Sequence, residues 1–349
     1  MTTRVSGHAG ACPLRQGRKR LAARWQSDTI ASIMLTRAQT VPPLDFGPNR
    51  APLAALATAQ EDGVLAVITR TEGPSYRPVG AVMAFLADDM RIGTLSSGCI
   101  ESDLALHAAE TLDTGTPKTV LYGRGSPYID IQLPCGGGLE ILLVPRPDKE
   151  ALARMIETLD ARRPATLVID RQTGQIEEQE DAIASEKGRF AITFEPELQF
   201  FIFGKGPEAS TFAGLVQSAG YPNLLLSPDE ETLEAGRAAG CATHHLVSKG
   251  VPSGVAPDGW SSVVLFFHDH DWEPPILESA LETDAFYIGA QGSKRARDAR
   301  LAELEAMGVA AEARERLHGP IGLVPSARDA RTLAVSVLAE VLAVAKAAA

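Results

Sequence analysis

One segment, LQFFIFGKGPEASTFAGLVQS at residues 198–218, constrains the fold of this chain more than any other. An apolar run that predicts a strand leads into a G-x-G-x-x-A turn, Gly204 to Ala209, and a helical pattern follows. Glycines in such a turn let a pyrophosphate approach the helix N-terminus. Strands and helices then alternate to the C-terminus. Residues 197–349 are therefore predicted to form a Rossmann-like, doubly wound parallel sheet.

The same segment favours the fold more strongly than it favours a nucleotide. Chains that bind a dinucleotide place an acid about 20 residues further on, at the end of the second strand, where it holds the ribose. Here that position is Ser227, and Asp229 is displaced by two residues. Pro207 also removes one N–H group from the turn. A bound NAD(P) therefore remains the alternative to the interpretation that we favour, a Rossmann scaffold that holds another ligand.

Residues 46–196 predict a separate domain of mixed α/β structure. An alanine-rich helix begins near Leu53, and a hairpin turns at Asp88 and Asp89. The polar stretch 171–188 is predicted to be a loop or a hairpin. Short strands are predicted for GVLAVITRTEG, PKTVLYG, YIDIQL, LEILLVP and ATLVID, and a helix for KEALARMIETLDA.

Charge and hydropathy narrow the function class. The formal net charge of -11 argues against nucleic acid or an anionic membrane as the main partner. No apolar run reaches the roughly 18 residues of a membrane-spanning helix. The Arg-rich residues 1–45 contain no acid before Asp28 and lack the apolar core of a signal peptide, so we expect a disordered extension. Four cysteines without a secretory signal predict a protein of the reducing cytoplasm.

Two of the cysteines lie in glycine-rich turns, Cys99 in GTLSSGCIE and Cys135 in LPCGGG. Apolar residues recur at helical spacing from Ile100 to Leu112, so Cys99 is predicted at a helix N-terminus, which stabilises a thiolate. The three glycines after Cys135 can form an anion-binding nest. The alternative for each cysteine is a small buried hydrophobe at a tight strand end. Both interpretations fit these residues.

Histidines follow predicted strands in the second half of the chain. His268, Asp269 and His270 come directly after the run VVLFF, at the carboxyl edge where doubly wound sheets bind ligands. No third metal ligand is near them in the sequence, so we expect a polar loop over a cleft rather than a metal site. Cys241, which two histidines follow, is expected to mark only the start of a strand.

A basic helix begins in the segment GSKRARDAR at 292–300. Its side chains form either a solvated helix face or, together with Gly292 and Ser293 at the helix N-terminus, a phosphate site. The basic residues concerned are Lys294, Arg295, Arg297 and Arg300.

Taken together, these segments resemble the XdhC/CoxI family, accessory proteins for molybdenum hydroxylases such as xanthine dehydrogenase. In the first domain the resemblance lies in TRTEGPSYRPVGAVM, GTLSSGCIESDL and LPCGGGLEILL. In the second it lies in FIFGKGPEA, the long segment 266–295, HGPIGL and the C-terminal helix LAVSVLAEVLA. The chain departs from the family pattern at Lys205 and Pro207, where the turn commonly reads G-A-G-H-x-A, and at Ser227, where the family has an acid.

The resemblance implies a chaperone that binds molybdenum cofactor, as molybdopterin or its dinucleotide form. Such a protein protects the cofactor while an oxo ligand is exchanged for sulfur, and then hands it to the hydroxylase. Soft sulfur suits molybdenum, so Cys99 and Cys135 are implied as groups that donate sulfur, contact the metal or guard the cofactor. The implied partners are a molybdenum hydroxylase, a cysteine desulfurase and a second copy of the chain. The implied cofactor contacts are Arg77, Gly98, Gly136, Gly137, Gly204, Lys205, Gly206, His268, Gly292, Ser293, Lys294 and Arg295.

Two other functions are compatible with parts of the sequence. An NAD(P)-dependent oxidoreductase with a reactive cysteine would use the glycine turn and a thiol, but Ser227 and Pro207 argue against it. A protein–protein adaptor whose sites have decayed is disfavoured by the presence of both Cys-Gly motifs.

Overall fold

The computed structural model describes residues 49–124, 126, 133, 136–179, 188–268 and 270–348. These residues belong to one compact unit. The predicted N-terminal extension, the strand YIDIQL apart from Leu133, Cys135 and Asp269 lie outside the described residues. Within the described part of the chain, no helix combines the length and the apolar character that a membrane crossing requires.

The N-terminal region, residues 49–194 as described, contains a larger and a smaller antiparallel sheet together with helices. Its elements are α1 (Arg50–Thr58), β1 (Val64–Glu72), β2 (Val82–Phe85), β3 (Arg91–Ile92), α2 (Glu101–Thr114), β4 (Lys118–Gly123), β5 (Gly138–Pro145), α3 (Lys149–Asp160), β6 (Ala165–Asp170), β7 (Ile176–Gln179) and β8 (Arg189–Phe194). The larger sheet has the order β3-β2-β1-β5-β4 and the smaller β7-β6-β8. The predicted mixed α/β structure is confirmed, and the polar stretch 171–188 contains a hairpin strand.

The strand β1 is buried along most of its length because both faces of its sheet are covered. Val64, Ala66 and Ile68 share a core with α2. Leu65 and Val67 point to the other face and share a core with α1, α3 and the smaller sheet. A strand with two covered faces carries a continuous apolar run, which is what this segment shows.

Turn and helix signals in this region are confirmed by the backbone. Asp88 and Asp89, between β2 and β3, have φ values of 55 and 56°, the left-handed conformation that a tight hairpin turn requires. Leu104 and Ala108 are buried on α2, as their helical spacing predicts. The N-terminus of α2 is thereby anchored to the larger sheet.

The C-terminal region forms the predicted Rossmann-like sheet. Its elements are β9 (Gln199–Gly204), α4 (Pro207–Ser218), β10 (Asn223–Ser227), α5 (Glu230–Ala238), β11 (Ala242–His245), β12 (Ser261–Phe266), a 3-10 turn (His270–Trp272), α6 (Glu273–Leu281), β13 (Tyr287–Ala290), α7 (Lys294–Ala306), α8 (Ala311–Glu315), β14 (Leu317–His318) and α9 (Ala330–Ala348). The strand order is β11-β10-β9-β12-β13-β14, and neighbouring strands are parallel. This is the doubly wound order in which the chain reverses between β9 and β12.

The central strand β9 is buried on both faces, as β1 is in the first region. Phe200 and Ile202 pack into the core beneath α4 and α9. Phe201 and Phe203 pack into the core on the opposite face with α6. Polar groups are therefore confined to the strand ends, and the carboxyl ends of β9, β10, β12 and β13 meet at one edge.

Gly204 ends β9 at a point of close contact between strands and helix. A Cβ atom added there would lie 2.7 Å from the carbonyl oxygen of Phe266 and 2.8 Å from the Cβ of Ala209. Only glycine fits between β12 and the first turn of α4. The first glycine of the turn is therefore required by packing, whatever the turn binds.

The side chain of Arg162, just beyond α3, links the two regions. Its Nε and Nη2 donate to the two carboxylate oxygens of Asp258 at 2.7 and 3.0 Å. Its Nη1 donates to the carbonyl oxygen of Glu197 at 2.6 Å. Burial opposes ionisation of Asp258, but the hydrogen bonds from Arg162 and Ser261 outweigh it and hold the pKa below its usual value. The division near residue 196 remains a prediction, since these contacts cross it.

Candidate functional site

The loop between β3 and α2 presents the Cys99 thiol to solvent. Cys99 is exposed and free, and it lies just before Ile100, the N-cap residue of α2. The predicted position at a helix N-terminus is confirmed, and the interpretation as a buried hydrophobe is wrong for this residue. Ser97 and Gly98 have φ values of 62 and 100°. A Cβ added at Gly98 would meet nothing within 4 Å, so the thiol is flanked by open space.

The buried carboxylate of Glu101 holds this loop in shape. Its Oε1 accepts hydrogen bonds from Thr94 Oγ1 at 2.6 Å, Leu95 N at 3.0 Å and Ser96 N at 2.8 Å. Its Oε2 accepts from Ser96 Oγ at 2.6 Å and from Ile100 N at 3.1 Å. Burial opposes ionisation of this carboxyl, but the bonds from Ser96 and Thr94 outweigh it and lower the pKa to about 2. The loop is therefore wrapped around an ionised carboxylate.

Glu101 is a residue that sequence reasoning missed. An acid in the first turn of a helix is a familiar signal, because it complements the helix dipole. That signal was present, since Glu101 follows Cys99 and Ile100 directly. It does not reveal that the carboxylate turns back to N–H groups that precede the cysteine.

The second cysteine motif runs into the start of β5. This start lies at the end of the larger sheet toward which β3 runs. Gly138 pairs with Glu72 at the end of β1, and β3 runs toward this end before the Cys99 loop. The helix α2, which Cys99 precedes, packs against β1 and β5. Because Cys135 lies outside the described residues, a common cleft for the two thiols stays a prediction.

Gly137 permits a close approach between the second cysteine motif and the loop after β1. A Cβ added at Gly137 would lie 1.9 Å from the carbonyl oxygen of Pro74, whereas one at Gly136 would meet nothing within 4 Å. Further along the loop, Arg77 donates from Nη2 to Asn49 Oδ1 at 2.9 Å. Burial lowers the pKa of Arg77. This guanidinium is therefore tied to the start of α1 rather than extended into solvent.

In the glycine turn of the Rossmann-like sheet, the backbone N–H of Gly206 is hydrogen-bonded to a side chain of the same protein. Gly206 N donates to Thr232 Oγ1 at 2.8 Å, and the Thr232 hydroxyl donates to Asp229 Oδ2 at 2.5 Å. Asp229 N donates to the Oγ of Ser227, a fully buried residue, at 3.1 Å. The bonds from Thr232 hold the pKa of Asp229 below its usual value. The polar groups of this turn therefore hydrogen-bond to one another, at the position where a Rossmann-type turn contacts a dinucleotide.

Cationic and histidine side chains lie along the carboxyl edge of the same sheet. Lys205 follows β9 and is exposed. His268 follows β12, and its Nε2 lies 3.5 Å from Glu208 Oε1 on α4. Lys294 and Arg295 follow β13 and are exposed on the first turn of α7. The structure thus brings the predicted residues of the C-terminal region to one edge.

The basic residues of α7 differ in burial, since Arg300 is buried whereas Lys294 and Arg295 are exposed. Ser293 caps the helix, since its Oγ accepts from Ala296 N at 3.2 Å. Arg300 is buried, donates to the two oxygens of Glu273 at 3.0 Å each, and donates to the Gln291 carbonyl at 2.9 Å. Arg300 is therefore not part of a solvated helix face, but it lines a cavity of about 320 Å³ together with Ser293 and Arg295. The hydrogen bond of Arg300 to the Gln291 carbonyl fixes the loop that precedes Lys294 and Arg295.

Two other predicted features have simpler explanations. Cys241 is buried in the apolar core beside β11, and burial raises the pKa of its thiol. Its interpretation as the start of a strand is confirmed. Among the described residues, no group of three or more His, Cys, Asp and Glu side chains is arranged to hold a metal ion.

A cavity of about 620 Å³ lies where the N-terminal region meets the start of β9. Its described lining includes Asn49, Asp160, Arg162 and Gln199. It includes neither Cys99 nor the cations of the carboxyl edge. The predicted site residues therefore do not line this cavity between the regions.

Comparison with known proteins identifies the family. Residues 56–123 match the XdhC and CoxI family, and residues 200–341 match the XdhC Rossmann domain. A protein of Escherichia coli strain K12, described as molybdenum cofactor insertion chaperone PaoD, is 32% identical over 283 residues. The match covers 80% of this chain and 83% of that protein. The chain belongs to the XdhC and CoxI family.

Two other proteins align with a similar share of this XdhC and CoxI family member. A Bacillus subtilis strain 168 protein, described as a probable xanthine dehydrogenase subunit, is 24% identical over 330 residues, which span 83% of this chain and 95% of that protein. A Bacillus halodurans crystal structure described as a xanthine dehydrogenase has a TM-score of 0.70 at 22% identity. It covers 84% of this chain and 95% of its own, and at that identity it supports the fold alone.

The low pKa of Glu101 makes the stability of this XdhC and CoxI family member depend on pH. Because the carboxyl has a pKa of about 2 when folded, against an ordinary value of 4.5, its contribution is complete above 4.5 and is lost as the pH falls toward 2. We expect Glu101→Gln to lower the free energy of unfolding by roughly 2 kcal/mol at pH 7 and by less than half as much at pH 3. Urea denaturation at both pH values measures this.

Glu110→Gln on the same helix is the matched control, since Glu110 pairs with Lys118 in the open. We expect it to change the unfolding free energy little at either pH. A difference between wild type and Glu101→Gln that stays constant from pH 7 to pH 3 would contradict the role of the Glu101 charge.

Proposed function

We propose that this protein binds molybdenum cofactor as cargo and hands it to a molybdenum hydroxylase of the xanthine dehydrogenase type. The observation that carries the proposal is the exposed Cys99 thiol on a fixed, glycine-flanked loop at a helix N-terminus. The relative from Escherichia coli, whose description names molybdenum cofactor insertion, supports the choice of cargo. The description of the Bacillus subtilis relative supports the choice of hydroxylase.

The described residues suit such a cargo chemically. Molybdenum favours soft sulfur ligands, and Cys99 offers an accessible sulfur. The open space at Gly98 and Gly136 leaves room for a bulky pterin beside the backbone. The exposed Lys205, Lys294 and Arg295 can pair with the phosphate of molybdopterin or the pyrophosphate of its dinucleotide form.

Within this function, we assign Cys99 and Cys135 to sulfur donation, to metal contact or to protection of the bound cofactor. A cysteine desulfurase is then the partner that supplies sulfur. The protein would work in the cytoplasm and as a homodimer. The remaining contacts that we assign to the cofactor lie in the Cys-Gly motifs and along the carboxyl edge, at Gly98, Gly136, Gly137, Gly204, Gly206, His268, Gly292 and Ser293.

NAD(P) is a poor fit to the glycine turn, because Gly206 N, Thr232 and Asp229 already satisfy one another. Ser227 is buried and cannot accept from both ribose hydroxyls as a carboxylate does. We therefore expect calorimetric titration of the purified protein with NAD to give no low-micromolar binding. Tight NAD binding with turnover would favour the oxidoreductase instead.

The thiols are tested by their removal. Because a thiol contact cannot be replaced by a methyl group, Cys99→Ala and Cys135→Ala should each reduce co-purified pterin and molybdenum at least about tenfold. Oxidised pterin fluorescence and elemental analysis of the purified protein measure both. Cys241→Ala is the control, since Cys241 is buried in the core and should retain the cargo. Retention at wild-type level by both test variants, each folded by circular dichroism, would refute the role of the thiols.

The cations of α7 test whether one cargo uses both regions. A charge-assisted contact contributes about 1.5–3 kcal/mol, so Lys294→Ala/Arg295→Ala should weaken cofactor binding at least about tenfold. The reactivity of Cys99 toward a thiol reagent should not change. Arg331→Ala/Lys346→Ala on α9 removes two other exposed cations and should bind as the wild type does. Equal affinity for the α7 variant and the wild type would restrict the site to the N-terminal region.

A further inference from the structure

The side chain of Glu101 lies behind the Cys99 loop, where cargo cannot reach it. Glu101 is 7% exposed, and each of its oxygens accepts hydrogen bonds from the loop. Cys99, on the same loop, is exposed. Any effect of Glu101 on cargo must therefore pass through the loop.

The bonds of Glu101 fix the backbone on the C-terminal side of Cys99. Ile100 N, which is covalently bonded to the carbonyl carbon of Cys99, donates to Ser96 Oγ and to Glu101 Oε2 at 3.1 Å each. The peptide plane that follows the cysteine is thus held by two acceptors. Since this plane is bonded to the Cα of Cys99, its orientation limits the directions in which the thiol can point.

The backbone on the N-terminal side of Cys99 is tied to the same carboxylate through Thr94. Ser97 N donates to Thr94 Oγ1 at 3.0 Å, and the Thr94 hydroxyl donates to Glu101 Oε1 at 2.6 Å. Ser97 has a φ of 62°, which a side-chain-bearing residue keeps only when its surroundings enforce it. Glu101 is the acceptor that these bonds share, directly or through a hydroxyl.

We propose that Glu101 is a positioning residue for Cys99: its buried carboxylate holds the segment 94–100 in the one conformation that presents the thiol to the cargo. The identity of the group that the thiol contacts rests on the proposed function, whereas the role of Glu101 in fixing the loop does not. Glutamine at this position would place an amide N–H₂ against the N–H and O–H donors that now meet a carboxylate. The amide oxygen could accept from the donors that now meet one carboxylate oxygen, but those that meet the other would lose their acceptor, while the helix kept its length.

The test measures Cys99 itself in the full-length protein. Wild type, Glu101→Gln and Glu110→Gln are alkylated with iodoacetamide across a pH series, and the rate at Cys99 is read by peptide mass spectrometry. We expect Glu101→Gln to change this rate by about threefold or more at pH 7, because the thiol loses its fixed position. Glu110→Gln should match the wild type in rate and profile.

Hydrogen exchange supplies a second measurement on the same variants. The amides of Leu95, Ser96 and Ile100 should exchange roughly tenfold faster or more in Glu101→Gln, since each loses a charged acceptor. Amides of β5 and α3 should quicken by no more than the measured fall in the free energy of unfolding predicts, and by a smaller factor than the loop amides. Ser96→Ala, which removes one of the two acceptors of Ile100 N, should give an effect of the same sign and smaller size.

The outcomes separate this inference from the proposed function. Unchanged alkylation and exchange in Glu101→Gln would overturn the positioning role, even if Cys99→Ala loses the cofactor. Altered alkylation and exchange would support it, even if Cys99→Ala retains the cofactor and the proposed function is wrong. If the loop amides quicken by no more than those of β5 and α3 do, the residue is only structural and the proposal is refuted.

Discussion

Burial of β1 and β9 on both faces is the constraint on which the rest of the molecule depends. Each strand carries apolar side chains to two separate cores, so each sheet needs helices or a second sheet on either side. No face of either central strand is then left for polar chemistry. The exposed thiol, the glycine turn and the exposed cations Lys205, Lys294 and Arg295 all lie where strands end, beyond the covered faces of the sheets.

The glycine turn illustrates how packing alone can require part of a motif that is associated with nucleotide binding. Gly204 is required because β12 and α4 approach its backbone, and that requirement is independent of any nucleotide. Gly206 N is satisfied by Thr232, and Thr232 by Asp229. A turn that satisfies its own donor can be retained for packing, so the motif identifies the scaffold better than it identifies what is bound.

Local patterns predicted most of the fold because periodicity and turn chemistry are properties of neighbouring residues. The spacing of Leu104 and Ala108 fixed one helix, and the paired aspartates Asp88 and Asp89 marked one hairpin. The roles of Glu101 and Arg300 were not predictable in this way. Glu101 turns back to groups earlier in the chain, and Arg300 meets Glu273 on another helix. Such partners are set by tertiary packing, which a linear pattern of charges does not contain.

The contact of Arg162 with Asp258 and the Glu197 carbonyl has a mechanical consequence. The connection from β8 to β9 comprises only residues 195–198, and this guanidinium bridges it. A four-residue connection that is bridged by a salt bridge leaves little freedom for a hinge motion of the N-terminal region relative to the C-terminal region. Release of the proposed cofactor cargo would therefore depend on local opening of the loops at the strand ends. Since the salt bridge is partly solvated, its stiffness would fall as ionic strength rises.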